Sequence, residues 1–133
     1  MQKMLRIGLS GLLILSGAAM AAANLPHALA PAMGGLWEVS HSATGHNPTR
    51  ICVATPDLLA QFEHRQQRCT RKVISDQGAE TVITYNCSAG GFGQSKMTLI
   101  TPRTLRIDTQ GISDNLPFHY LLHARRIGDC GTR

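Results

Sequence analysis

The sequence predicts a mainly β protein, an antiparallel meander curled into an open or half barrel, with one short helix and two disulfide bonds. Short runs in which apolar and polar residues alternate recur along the chain, and turn residues separate them. Four cysteines are present, an even number that is typical of disulfide-bonded exported domains. Short strands at hairpin spacing, with one helix between the second and the third, favour an antiparallel meander that curls into an open or half barrel.

Residues 1–23 have the pattern of a secretory signal peptide. Lys3 and Arg6 precede an uncharged, apolar run from Ile7 to Met20, and small residues suited to cleavage follow it. The alternative is a membrane anchor, which is less favoured because the apolar run is short for a bilayer span. We therefore expect export and a mature chain without stable membrane insertion.

The remaining chain is predicted to consist of a leader segment, residues 24–34, and a single domain, residues 35–133. The formal net charge is +5, and loss of Lys3 and Arg6 with the signal peptide lowers it to +3. This mild excess suits an anionic surface but is far below the footprint of a nucleic-acid-binding domain. No nucleic-acid partner is therefore expected.

The cysteines are expected to form two disulfide bonds. They are Cys52, Cys69, Cys87 and Cys130. The alternative is a zinc site with four thiolate ligands, which is disfavoured because the chain contains no Cys-x-x-Cys pair. Four cysteines allow three pairings, so the choice between them depends on how the strands are aligned.

The first strand is predicted at Leu36–His41, where Trp37 and Val39 share one face. The only tryptophan of the chain is expected to anchor one end of the core. A second, short strand is predicted at Arg50–Ala54. The proline- and glycine-containing segment before the first strand, residues 24–34, is expected to lie on the surface.

Thr55-Pro56-Asp57 predicts the start of a helix that runs to about Gln66. Threonine can cap a helix, proline fits the first helical position, and aspartate faces the positive end of the helix dipole. The predicted apolar stripe of this helix consists of Leu58, Leu59 and Phe62.

Two β-prone runs on either side of Asp76-Gln77-Gly78 predict a hairpin from Cys69 to Cys87. Opposing the two cysteines places Arg71 against Tyr85, Val73 against Ile83, and Ser75 against Thr81. Directly opposed residues have Cβ atoms about 4.5–5.5 Å apart, which suits a disulfide after small adjustment. The register therefore favours the pair Cys69–Cys87 and leaves Cys52–Cys130 to tie the chain end to an early strand.

Three further strands are predicted after the glycine-rich loop 88–93. The first contains Met97 and Leu99, the second contains Leu105 and Ile107, and the third runs from Phe118 to Ile127. The faces of the last strand are ambiguous because Leu121 and Leu122 are both apolar. The sheet is expected to curl around the aromatic side chains of Trp37, Phe62, Tyr85 and Phe118.

The order of several short motifs resembles a known family. The motifs are Gly35–Val39, Ile51–Thr55, Cys69, Tyr85–Cys87 and Gly128–Cys130, behind a signal peptide. Over essentially the whole mature chain they resemble small exported proteins of Gram-negative bacteria catalogued as domain of unknown function number 3617. Ala54 stands where threonine is expected. The resemblance implies a periplasmic, β-rich, disulfide-bonded protein, and it carries no known catalytic residues, so no site is transferred.

The candidate interaction residues are basic, apart from one aromatic residue. The densest basic set consists of His64, Arg65, Arg68, Arg71 and Lys72. We interpret this set first as a solvated helix end and strand edge, and second as a contact surface for an acidic envelope component or protein. Phe92, in the glycine-rich loop, is expected either to enter the barrel mouth or to project as a contact residue.

No catalytic residue, metal site or cofactor is predicted. His119 and His123 share one face of a predicted strand but are about 13 Å apart along it, too far to bind one metal ion. A catalytic alternative requires His41, His119 or His123 to meet Asp108 or Asp129 in a cleft.

The sequence specifies no reaction, and it favours a non-catalytic binding or interaction module. Its expected partner is an envelope protein, an anionic envelope component or a small ligand. One alternative is an envelope inhibitor of the lysozyme-inhibitor type, although a slightly basic chain is poorly suited to a basic enzyme. A second alternative is a lipocalin-like carrier, which a roomy apolar cavity would favour and a filled interior would exclude.

Overall fold

A computed structural model describes residues 25–131 of the chain, so the predicted signal peptide, residues 1–23, lies outside the described residues. Within the described part, 3-10 helices occur at His27–Leu29 and Pro56–His64. The strands are β1 (Gly35–Ser40), β2 (Thr49–Val53), β3 (Cys69–Gln77), β4 (Glu80–Cys87), β5 (Phe92–Thr101), β6 (Thr104–Ser113) and β7 (Leu116–Gly128). None of the helices in residues 25–131 has the length and apolar character needed to cross a membrane.

The strands form a single antiparallel sheet in the order β2-β1-β7-β6-β5-β4-β3. Strands β3 to β7 follow one another as hairpins, and β1 joins the sheet beside β7. The sheet is not closed, because β2 and β3 remain at its two edges. This arrangement confirms the predicted fold class, a mainly β meander that is open and not a complete barrel.

The hydrophobic core lies on the inner face of the sheet, beneath the two helices. Trp37 and Val39 of β1 are buried, as their alternation in the sequence predicts. Alternate residues of the other strands add to the same face, and the helix Pro56–His64 contributes Leu59 and Phe62. The interior is therefore filled by side chains of the protein itself, which counts against the carrier alternative.

The helix after β2 differs from its prediction in type, capping and length. It starts at Pro56 as expected, but it is a 3-10 helix that ends at His64, and the Thr55 side chain makes no capping hydrogen bond. Gln61 interrupts it with non-helical dihedral angles, φ −99° and ψ 31°. The Gln61 side chain donates to the carbonyl oxygens of His64 and Gln67, at 3.4 and 3.2 Å. These bonds hold the chain in a tight, kinked path.

The leader segment was expected on the surface, and that expectation is wrong for its described part. Leu29 is fully buried in the core, and Ala28 and Ala32 are also buried. The Asp76 carboxylate on β3 accepts hydrogen bonds from the backbone N–H groups of His27, at 2.7 Å, and Ala28, at 3.0 Å. The segment is therefore fastened to the β3–β4 hairpin and covers part of the inner face.

Asp76 is expected to make the stability of the fold depend on pH. Its hydrogen bonds, with that of Ala28 contributing most, hold the pKa of the Asp76 carboxyl below its usual value of 3.8. A carboxyl with a lowered folded-state pKa stabilises the protein above the unfolded-state pKa, and this stabilisation disappears as the pH falls through the folded-state pKa. Asp76→Ala should therefore lower the thermal midpoint at pH 7.

The measurement is a series of thermal melts from pH 7 to below pH 3.8. The difference between wild type and Asp76→Ala should be full at pH 7 and should shrink at the acidic end. Glu80→Ala removes an exposed carboxylate from the same hairpin and should leave the midpoint almost unchanged. An Asp76→Ala effect that is the same at every pH would contradict this role of the carboxylate.

The predicted hairpin is confirmed, with one local shift in register. Cys69 faces Cys87, Arg71 faces Tyr85, and Val73 faces Ile83, as predicted. A β-bulge then moves the pairing, so that Ser75 faces Val82 and Asp76 faces Thr81. The prediction that Ser75 faces Thr81 is therefore wrong, because the bulge inserts an unpaired Ile74 into β3.

Both disulfide bonds predicted from register are present, Cys69–Cys87 and Cys52–Cys130. The second bond joins the end of β2 to the residues after β7, across a sequence separation of 78. The described residues contain no free cysteine. Two disulfides are typical of an oxidising environment, extracellular or periplasmic.

The ambiguous face of the last strand is resolved by its neighbours. Leu122 lies opposite Ile107 of β6 and is fully buried, whereas Leu121 lies opposite Asp108 and is exposed. Phe118 was expected in the core and is only half-buried, near the end of the sheet. The outer face of β7 is therefore open to solvent, and it carries polar residues beside Leu121.

Candidate binding site

The outer face of the sheet carries a pocket where β1, β7 and β6 lie side by side. Ser40 of β1 is opposite His123 of β7, which is opposite Arg106 of β6. Residue-by-residue alternation places these three side chains on the face away from the core. The loop between β1 and β2 forms the other wall of the pocket.

A buried serine holds that loop in place. The Ser40 hydroxyl donates to the carbonyl oxygen of His46 at 2.5 Å and accepts from the backbone N–H of Ser42 at 3.0 Å. Gly45, at φ 77°, makes a turn in which its N–H donates to the Ser42 carbonyl oxygen at 3.0 Å. These bonds fix the loop next to the outer face of the strands.

The pocket has a volume of about 460 Å³. Its lining combines cationic, polar and apolar groups. The residues that matter most for its chemistry are Arg106, Arg125, His123, Glu38 and Ile100. The loop adds Ala43 and Pro48. A concavity of this size is within the range of sites for small molecules.

Glu38 is the only acidic residue in the lining of this pocket, and its carboxylate already pairs with two arginines. One carboxylate oxygen is 3.3 Å from Arg50, and the other is 3.3 Å from Arg125. Arg106 has no carboxylate within ion-pair distance among residues 25–131. The pocket therefore keeps a net positive charge that an anion can neutralise.

The basic set predicted from the sequence is divided between structural and exposed roles. The Arg65 guanidinium lies 4.4 Å from the centre of the Phe62 ring and donates to the Phe62 carbonyl oxygen at 3.0 Å. Arg71 is 3.5 Å from the Asp57 carboxylate and donates to the Gln61 side chain at 2.6 Å. Arg71 therefore attaches the helix Pro56–His64 to β3, whereas Arg65 makes its contacts within the end of that helix.

His64 of the set is buried, and Arg68 and Lys72 are the members whose side chains make no such internal contact among the described residues. Neither has a carboxylate within ion-pair distance in the part of the chain that the structure describes. Phe92 projects into solvent, with 51% of its surface exposed, and does not enter the interior. None of these three residues lines the outer-face pocket. They remain available for contact with a partner.

The histidines do not converge into a metal site within the described residues. His119 is 2.7 Å from the Asp108 carboxylate, with 64% and 45% of the two side chains exposed. The catalytic alternative required a histidine and an aspartate such as these to meet in a cleft. His119 and Asp108 do meet, but on the open outer face of the sheet. Asp129 instead pairs with Arg126, and His41 packs edge-on against Tyr120.

A buried polar cluster closes one end of the sheet. His64 Nδ1 and the Tyr85 hydroxyl are 2.9 Å apart, and the Tyr120 hydroxyl donates to the Glu63 carboxylate. Burial, and secondarily Glu63, raises the pKa of Tyr85; burial and the hydrogen bond to Glu63 raise the pKa of Tyr120. Both phenols therefore stay protonated at neutral pH and act as hydrogen-bond groups of the packing.

Two glycines of the loop region make this cluster possible. A Cβ atom at position 91 would lie 2.5 Å from His64 Nε2, and one at position 93 would lie 2.6 Å from the Tyr85 hydroxyl. Gly91 also has φ 100°, a conformation that side-chain-bearing residues rarely adopt. The glycine-rich segment therefore allows the backbone to approach the buried histidine and tyrosine closely.

The fold and this site define a class of small, disulfide-bonded, open-sheet proteins with a filled interior and a cationic pocket on the outer face. The chain belongs to the family described as proteins of unknown function, DUF3617, whose model matches residues 29–130. Neither the curated proteins nor the solved structures contain a match. The match begins at Leu29, so it includes residues 29–34 of the leader segment.

Proposed function

We propose that this protein is a non-catalytic binding module of the periplasm that holds an amphipathic anion in its outer-face pocket. The ligand class combines an acidic head group with a short aliphatic part. The observation that carries the proposal is the position of Arg106, a cation without a carboxylate partner among residues 25–131, beside the exposed side chain of Ile100.

The head group is recognised by charge. Arg106 and Arg125 present guanidinium groups, which bind carboxylate and phosphate oxygens through two parallel hydrogen bonds. The ion pair with Glu38 leaves part of the Arg125 guanidinium available to a ligand. The Arg125 side chain is 67% exposed, and the Glu38 carboxylate also accepts from Arg50. An anion that enters beside Arg106 therefore gains a charge-assisted contact without displacing an internal ion pair.

The aliphatic part is recognised by Ile100 and the loop. Ile100 is 57% exposed although it is a large apolar residue, and it lines the pocket together with Ala43 and Pro48. An alkyl group placed between these residues removes apolar surface from water on both sides. A small, highly hydrated anion without an alkyl part should therefore bind more weakly than an amphipathic one.

Export supports a ligand or partner of the cell envelope. The residues 1–23 have a signal-peptide pattern, and the two disulfides suit an oxidising compartment. The proposed partner is an anionic envelope component, a small ligand or an envelope protein that carries such a group. The mild basic charge supports neither a nucleic-acid partner nor the lysozyme-inhibitor alternative, and an inhibition assay with lysozyme should accordingly show no effect.

Arg106→Gln is expected to weaken the binding of hexanoate and of hexyl phosphate by about tenfold or more, because a charge-assisted hydrogen bond is lost. The measurement is isothermal titration of the mature, oxidised protein. Hexanol has a similar alkyl chain without the charge, and its weaker binding should not change in the variant. Comparison of the two anions tells whether the site prefers a carboxylate or a phosphate.

Lys96→Gln is the matched control, because Lys96 is an exposed cation of the same outer face that does not line the pocket. It should leave hexanoate binding almost unchanged. Equal losses in Arg106→Gln and Lys96→Gln would show only a general effect of net charge and would overturn the site. Hexanoate that binds no more tightly than hexanol would overturn the role of the arginines.

A further inference from the structure

Strand β3 is an edge of the sheet and has β4 as its neighbour on one side only. Near its end, Asp76 is covered, since its carboxylate binds the backbone N–H groups of His27 and Ala28. No described strand or helix is hydrogen-bonded to the outer side of the preceding stretch, Cys69–Ser75. This stretch is the free edge of the sheet.

The hydrogen bonds of the hairpin identify which backbone groups face outward. The Ser88 N–H donates to the Arg68 carbonyl oxygen at 3.0 Å, so the peptide groups of Arg68 face β4. Successive residues of a strand direct their N–H and C=O groups to opposite edges of the strand. The N–H and C=O groups of Cys69, Arg71 and Val73 therefore point away from β4, where a further strand could pair with them.

The side chains of the free edge are apolar and basic. Val73 is 40% exposed and Ile74 is 51% exposed, which is unusual for large apolar residues. Lys72 and Arg68 have no carboxylate within ion-pair distance among residues 25–131. Arg71 adds a third positive charge, partly neutralised by Asp57 at 3.5 Å. The free edge therefore complements a segment that carries both acidic and apolar side chains.

We propose that the free edge binds an extended acidic segment of a partner protein, which adds to the sheet as a further antiparallel or parallel strand. This surface is separate from the outer-face pocket and goes beyond the proposed function. A second copy of the chain is a poor occupant, because it would bring two positively charged edges together. The bulge at Ile74 limits the pairing to the residues before it, so the segment is short.

The disulfide Cys69–Cys87 favours this mode of binding. It lies at the start of β3 and fixes the strand against β4. A strand that is already held in its bound conformation loses less conformational entropy when a partner pairs with it. Binding by strand addition takes its affinity from the backbone and its selectivity from alternate side chains.

The test uses a capped octapeptide that alternates glutamate and valine, added to the mature, oxidised protein. Amide hydrogen exchange, measured by NMR, should slow at Arg71 and Val73, whose N–H groups gain acceptors. It should change little at Thr70 and Lys72, whose N–H groups already face β4. The same peptide with every backbone nitrogen methylated has no N–H donor on either edge and should not bind. Equal binding of the N-methylated peptide would overturn strand addition.

Two variants examine the backbone and the charge separately. Val73→Pro removes an outward N–H that the native sheet does not use, and proline is tolerated at such edge positions, so binding should be abolished while the fold remains. Lys72→Glu should weaken binding about tenfold, whereas Lys96→Glu, on the interior strand β5, should not. Unchanged binding by both β3 variants would overturn the proposal, as would a β3-mediated dimer that excludes the peptide.

Discussion

Replacing Trp37 with alanine is expected to lower the free energy of unfolding by about 4 kcal/mol, because a large side chain is removed from a closely packed core. Trp37 is completely buried on β1, between β2 and β7. Its indole N–H donates to the Met33 carbonyl oxygen at 3.2 Å, so the side chain also holds the leader segment. A loss of this size is a large part of the stability of an ordinary domain.

Urea unfolding followed by far-ultraviolet circular dichroism provides the measurement, since the variant lacks the only tryptophan. Leu116→Ala is the control, because Leu116 is 68% exposed on β7 and its removal should change the free energy of unfolding by no more than about 0.5 kcal/mol. A Trp37→Ala loss below about 1 kcal/mol would show that the tryptophan is not central to the core.

Removing the disulfide between Cys52 and Cys130 is expected to cost more than removing the one between Cys69 and Cys87. On the chain-entropy argument, the separations of 78 and 18 residues correspond to about 4.5 and about 3 kcal/mol. The first bond also fastens the end of the chain to β2, where a terminus otherwise frays. Double substitutions to alanine remove each bond without leaving a free thiol.

Each double variant is compared with wild type by urea unfolding under oxidising conditions, and each is the control for the other. The variant that lacks Cys52 and Cys130 should have the lower midpoint. It should also show faster amide exchange in β2 and at the end of β7, the two regions that the bond connects. A reversed order of the two midpoints would contradict the view that the long connection contributes more.

The hairpin β3–β4 was predictable because the residues that specify it are close together in the sequence. Cys69 and Cys87 sit at the ends of two adjoining runs, and their opposition sets the register without reference to the rest of the fold. The bulge at Ile74 was not part of the prediction, which paired the two strands in one continuous register from the cysteines to the turn. The bulge changes only the turn half of the hairpin, so the disulfide pairing was still correct.

The leader segment and the helix illustrate where local patterns are insufficient. Residues rich in proline and alanine were predicted to lie on the surface, but a contact with Asp76, 48 and 49 residues away, draws them onto the core. The helix start at Pro56 was correct because the signal is local. Its 3-10 form and its kink are accompanied by hydrogen bonds of the Gln61 side chain to His64, Gln67 and Arg71, a pattern that helix-start signals do not contain.

The candidate site was the least predictable part of the molecule. The clustering of basic residues along the sequence indicated Arg65 and Arg71 as interaction residues, but the structure places both largely in internal contacts. The pocket instead combines three separate segments, because β1 pairs with β7 and β7 pairs with β6. Alternation did indicate that Arg106 faces away from the core. Nothing in the local sequence indicates that the loop between β1 and β2 would stand beside it.

Binding of amphipathic anions in the outer-face pocket is tested most directly by an NMR titration of the mature, oxidised protein with hexanoate. Saturable amide shifts should cluster at the pocket, in Ala43, Ile100, Arg106 and His123. Arg106→Gln should remove these shifts at the same hexanoate concentration, and Lys96→Gln should not. Shifts that are absent, or that cluster at Arg68–Val73 and leave the pocket unchanged, would contradict binding in the pocket.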